Sequence, residues 1–160
     1  MSIYPRMKLR TPWRPHLKKG RDPLPLRQPQ YVGNPGWILL SHRSDGVAEA
    51  LFVDTHEKLH PLSIVLDERM FSDTVLRVIQ ISPSVFVACD IRYLNGVNLF
   101  ETLSFAARKE RLRGLLEAFH APDLTALVLP EDVPHGTLLR GYETYDDTPG
   151  SLGVFLPAME

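Results

Sequence analysis

The chain has one cysteine, Cys89, so it can form neither an internal disulfide framework nor a cysteine-rich zinc centre. Cys89 lies inside an apolar run, where a small buried thiol is expected rather than a reactive one. No stretch of about 18 consecutive apolar residues occurs, which argues against a helical membrane span. No apolar signal-peptide core follows the first residues. The arginine-rich, acid-poor start suits an organellar targeting segment, but its prolines oppose the amphipathic helix such segments use. A soluble intracellular protein is expected, with its compartment open. The glycine patterns G-x-x-x-x-G-K-[ST], G-x-G-x-x-G and G-x-S-x-G are also missing, so P-loop, Rossmann and nucleophile-elbow chemistries lack their residues.

Acid is scarce at one end. Residues 1–30 hold eight basic side chains (Arg6, Lys8, Arg10, Arg14, Lys18, Lys19, Arg21 and Arg27) against Asp22 alone, a local charge of 8 − 1 = +7. The formal net charge is −1, so the other 130 residues carry −8. This asymmetry reads either as a basic arm for phosphate or an acidic partner, or as a solvated tail. Arg10, Arg14, Lys18, Lys19 and Arg21 are the nucleic-acid-binding candidates within it. Seven of the fourteen prolines fall in residues 1–35, so this part is expected to be extended, with neither helix nor interior strand.

From Trp37 onward the pattern is that of one folded domain, residues 36–160, with 44% hydrophobic content overall to build a core. Strands are expected at 37–40, 47–53, 62–66, 75–81, 85–91, 125–129, 137–142 and 152–155. Asp45-Gly46 between the first two marks a hairpin, and Asn95-Gly96 marks another turn. A helix is expected over 104–119, with Ser104 as N-cap and Phe105, Leu112, Leu115, Leu116 and Phe119 on one stripe. Arg108, Lys109, Arg111 and Arg113 decorate its other faces, as a solvated surface or, for Arg108, a nucleic-acid contact. The expected fold class is α+β: mostly antiparallel sheet with one main helix.

Phe86-Val-Ala-Cys-Asp90-Ile-Arg-Tyr93-Leu-Asn-Gly96, followed by Ser104-Phe-Ala-Ala-Arg108, resembles a region of the covalent nucleotidyltransferase superfamily. That superfamily comprises ATP-dependent polynucleotide ligases and mRNA capping enzymes, with the snurportin cap-binding domain as a non-catalytic relative. Upstream, Gly36-Trp37 through His42-Arg43-Ser44-Asp45-Gly46 is similar to the strand and K-x-D-G motif of the family. The resemblance implies a truncated nucleotidyltransferase-like core and a nucleotide pocket near Trp37, Arg43, Asp45, Gly46, Asp90 and Arg92. The departures imply lost catalysis. Family enzymes attack a nucleotide phosphate with the motif lysine, but the residue here is Arg43, which stays protonated and cannot be a nucleophile. The glutamate expected in strand 73–80 is absent, as is the acid expected near 151–154. The closing K-x-K lysines and the length for an OB domain are also lacking.

A pseudoenzyme that binds nucleotide or RNA, or serves in a ribonucleoprotein assembly with protein partners, is therefore expected, without cofactor or metal. Trp37 reads as a stacking surface or a core tryptophan; Arg43 and Arg92 read as phosphate contacts or as ion-pair partners of Asp45 and Asp90. A second reading takes His135-Gly136-Thr137 as the H-x-T half-motif of a 2H phosphoesterase, with His42 as the second histidine. A third is a purely structural interaction module. Glu143, Asp146 and Asp147 form an acidic group that is read as a cation site or a solvated turn. His56 and His60, in a loop-like stretch, are not expected to hold zinc.

Overall fold

The computed structural model describes residues 17–19, 24–42, 48–62, 73–117, 126–151 and 153–158. These form eleven strands, a single-turn helix α1 (Leu99–Thr102), one longer helix α2 (Phe105–Glu117) and a 3-10 turn at Pro130–Asp132. The α+β expectation is thereby overturned: the described fold is mostly β, a curled mixed sheet facing a smaller one.

The smaller sheet has the order β1 (Leu17–Lys19), β11 (Gly153–Pro157), β10 (Leu139–Tyr145), β2 (Leu26–Tyr31). Its β1–β11 pair is parallel and the others antiparallel. Two of its strands come from the segment expected to be an extended arm, and the boundary placed at residue 35 falls inside β3 (Asn34–His42). Proline chemistry still decides where these strands sit. Pro29 has no N–H to donate, and β2, which carries it, occupies an edge.

The larger sheet runs β5 (Leu59–Pro61), β4 (Ala48–Val53), β3, β6 (Thr74–Ser82), β7 (Val85–Leu94), β8 (Val97–Asn98), and β9 (Ala126–Val128) also pairs with β7 in parallel. β3 and β4 pair from Trp37↔Val53 to His42↔Ala48, the hairpin expected around Asp45-Gly46, whose loop lies outside the described residues. Gly36 allows that pairing at close range: a Cβ there would run into the Val53 carbonyl and the Phe52 ring. Asn95 and Gly96 both have positive φ, as a two-residue hairpin turn requires, and they lead β7 into β8. Of the strand expected at 62–66 only Leu62 is described, just beyond β5.

β6 and β7 are nearly continuous apolar runs because both faces of the central sheet are covered. One face carries Ile38, Leu40, Phe52, Leu76, Phe86 and Ile91, packed on Leu112 and Leu115 of α2 (Phe105–Glu117). The other carries Trp37, Leu39, Val53 and Val75. β7 is longer than its partner. Its register slips at Cys89, between the pairs Val78↔Ala88 and Arg77↔Asp90, and again at Arg92, between Leu76↔Ile91 and Val75↔Tyr93. Each slip adds a residue, as a β-bulge does, and so reverses the face reached by the later residues of the strand. Ala88 and Ile91 share one core although they stand three positions apart, an offset that would put them on opposite faces of a regular strand. The first bulge aims Asp90 at the seam between the sheets, where α2 also lies.

Candidate functional site

The seam is lined by buried charge. Arg77, in the middle of β6, donates Nη1 to Oε2 of Glu143 at 3.0 Å and Nη2 to Oε1 at 2.7 Å, which ties the large sheet to β10 of the small one. Arg77 Nη2 also donates to the Tyr145 hydroxyl at 2.8 Å, and that hydroxyl donates to Glu143 Oε1 at 2.9 Å. Gln28 of β2 donates Nε2 to Glu143 Oε1 at 2.7 Å and to the Cys89 carbonyl at 3.0 Å, while its Oε1 accepts from Lys109 Nζ of α2 at 2.9 Å. Burial would pull Arg77 down, but Glu143 and Tyr145 beside it hold its guanidinium well above its ordinary value. The Tyr145 hydroxyl is pushed well up by burial, although Arg77 acts against the shift.

One residue further along the row, Asp90 is engaged on both oxygens by Arg108. Nε reaches Oδ1 at 2.8 Å and Nη2 reaches Oδ2 at 3.3 Å, and the Ile91 amide also donates to Oδ1 at 2.8 Å. Arg108 Nη1 donates to the Leu103 carbonyl at 2.9 Å. Burial favours the neutral acid, but Arg92 and Arg108 overcome it and keep the Asp90 carboxyl below its usual range. Arg92 Nε lies 3.3 Å from Asp90 Oδ2, outside hydrogen-bond geometry. Its guanidinium stands 4.0 Å from the centre of the Phe100 ring and 5.5 Å from that of Trp37.

Of the sequence candidates, Trp37, Asp90 and Arg92 are brought together, because Trp37↔Arg77↔Asp90 is one cross-strand row. Trp37 is 3% exposed, which takes it out of reach of a base from solvent and fits the core reading. Arg108 is 1% exposed and cannot be a nucleic-acid contact; it is a buried ion-pair partner. Arg43, Asp45 and Gly46 lie outside the described residues, as do Arg10, Arg14 and Arg21. The described part of β3 ends at His42, five residues and roughly 16 Å beyond Trp37. Lys18 and Lys19 fall in β1, an edge strand of the small sheet.

Arg77, Gln28 and Tyr145 escape the sequence reading of the site, and Glu143 and Lys109 enter it only as part of an acidic group and as helix surface. A signal for two of the cations was present. Phe105, Arg108, Lys109, Leu112 and Leu115 are the buried residues of α2, and positions 108 and 109 fall between 105 and 112 at the spacing of three and four that defines the stripe. Charge made them look like surface; periodicity placed them inside.

The acidic group at 143–147 divides. Glu143 is in the seam, while Asp147 accepts the Ala106 amide at 3.0 Å and Ser104 accepts that of Ala107 at 3.3 Å, so the two together cap α2. The stacked rings of Phe105 and Tyr145, 3.9 Å apart and 6° from parallel, fix the same helix end on β10. Asp147→Ala is expected to lower stability by about 1 kcal/mol, the usual worth of a cap, in urea unfolding; an unchanged midpoint would remove Asp147 from the cap. Among the described residues no group of three His, Cys, Asp or Glu is placed to hold a metal ion. His60 meets Asp54 at 2.8 Å, and Asp54 also accepts the His56 and Lys58 amides, which closes the β4–β5 turn.

His135 and Thr137 lie in a turn before β10, with Gly136 at φ 88° and the Thr137 hydroxyl donating to the Pro134 carbonyl, whereas a 2H half-motif needs a strand. They line an open cleft of about 510 Å³ with Val32, Ile81, Ser82 and Val85. That cleft is beside the end of β3 that begins at Asn34, and His42 ends the same strand, eight residues or roughly 26 Å away. Residue 42 and the turn that carries His135 therefore lie toward opposite ends of β3.

No protein-family model matches the chain, and no curated protein matches it. No helix among the described residues is long and apolar enough to cross a membrane.

Proposed function

We propose that the chain is a non-catalytic, nucleotidyltransferase-like binding protein that engages RNA or another nucleic acid, alone or within a ribonucleoprotein assembly. The observation that carries this reading is the commitment of Asp90. An acid with both oxygens taken by a buried guanidinium is not free to hold a metal ion or accept a proton. Arg43 in place of the motif lysine supports the same conclusion, since its guanidinium can bind phosphate but cannot attack it. The +7 charge of residues 1–30 supplies the attraction to a polyanion.

Two measurements test it. Incubation with labelled ATP or GTP and a divalent metal should leave no covalent nucleotide on the denatured protein, and an adduct would refute inactivity. In a salt titration with single-stranded RNA, the Arg6, Lys8, Arg10, Arg14→Ala variant should bind more weakly. Its log–log salt slope should flatten by up to about 3, roughly 0.7 for each of the charges removed. Absence of binding by the unsubstituted protein at low salt would instead favour a purely structural module.

A further inference from the structure

The seam contains more cationic groups than acids to receive them. Arg77 is matched to Glu143 on two nitrogens, and Arg108 to Asp90 on two. Arg92 is the third guanidinium and has no carboxylate of its own. Its approach to Asp90 is at Oδ2, already bonded by Arg108, and is misaligned for a hydrogen bond. Among the described residues it makes no hydrogen bond, and its Nε is sealed from water while 13% of the side chain remains accessible. Burial draws Arg92 down to about 10 against the pull of Asp90, the mark of a cation short of compensating charge.

Its conformation is nevertheless fixed. Arg92 lies two residues beyond Asp90 and so shares its face of β7, the face of Trp37, and the Phe100 ring supports the guanidinium from one side. A planar donor held by rings, with unused N–H groups and a partly open side chain, suits an oxyanion, for which guanidinium forms paired, charge-assisted bonds.

We propose that Arg92, mounted between Phe100 and Trp37, is a phosphate-binding site, and that the arriving oxyanion supplies the negative charge that the seam lacks. The choice of phosphate rests on the nucleic-acid reading above; the site itself rests on the geometry of Arg92. The phosphate is that of an RNA backbone or of a free phosphorylated compound.

The test tracks the Arg92 Nε–H resonance of the nitrogen-15-labelled full-length chain during titration with inorganic phosphate, with chloride at matched ionic strength as the control. A saturable shift with phosphate alone is expected, together with at least a tenfold loss of phosphate affinity in Arg92→Gln and smaller loss in Arg92→Lys. A resonance that phosphate does not move more than chloride overturns the site. That result needs no variant, so misfolding of Arg92→Gln cannot obscure it. A single-stranded oligoribonucleotide then separates the sources. If it also moves the resonance, the ligand is an RNA phosphate; if it does not while phosphate does, the site stands and takes a free phosphorylated compound. RNA binding that persists through the N-terminal charges while Arg92 stays silent would defeat this site and spare the binding reading. A responsive Arg92 without RNA binding would do the reverse.

Discussion

Glu143→Ala is expected to cost about 3–5 kcal/mol of stability, a large part of what holds a domain of this size folded. The loss is not that of one contact. Glu143 is fully buried and receives Arg77 on both oxygens, Tyr145 and Gln28. Without it, Arg77 is a guanidinium enclosed in the seam with only the Tyr145 hydroxyl to meet it. The desolvation of that charge, no longer offset, dominates. Removing both charges at once, as Arg77→Met with Glu143→Leu, should cost far less than Glu143→Ala alone, because no bare ion remains. Urea unfolding of the two single variants and the double one gives the coupling directly. A Glu143→Ala variant within about 1 kcal/mol of the unsubstituted protein would mean that water reaches Arg77 freely.

Asp90→Ala is expected to be comparably severe, about 3–5 kcal/mol, since it leaves Arg108, wholly buried, with only the Leu103 carbonyl. The milder Asp90→Asn gives a pH test. The folded pKa of Asp90 lies below the unfolded value, which is about 3.9. Its contribution to stability is therefore fully present above that unfolded value and is lost as the pH falls through the folded one. Asp54 behaves in the same sense, its carboxyl brought down to about 2 chiefly by the hydrogen bond from His60. The urea midpoint of the unsubstituted protein should fall on acidification below about pH 4, and less steeply in Asp90→Asn, which keeps the Asp54 contribution but loses that of Asp90. Equal acid slopes in both proteins would show that the Asp90 pair contributes nothing.

Hydrophobic patterning made much of the fold legible. β3, β4, β6, β7 and α2 stand where apolar spacing placed them, and Asn95-Gly96 turns as its dipeptide requires, because these features depend on neighbours in sequence. The mistaken class came from elsewhere. β1 and β2, in a basic proline-rich stretch, carry no apolar alternation, and edge strands need little of it, since their pairing with β11 and β10 is supplied by backbone groups. The long-range β7–β9 parallel pairing left no local mark either.

At the candidate site the division is sharper. Residue order alone places Asp90 and Arg92 at the end of a buried strand and gathers positive charge at residues 1–30. The role of Asp90 emerges only from the packed molecule. Its two principal partners differ in origin: Arg108 lies 18 residues away along the chain, whereas Arg92, two residues on, shares its face of β7 by ordinary strand alternation. A bulge is one residue of slip between paired strands, set by the packing of two sheets and a helix rather than by local preference. That slip aims an acid into the seam, binds it to Arg108, and leaves Arg92 as the cation without a carboxylate of its own.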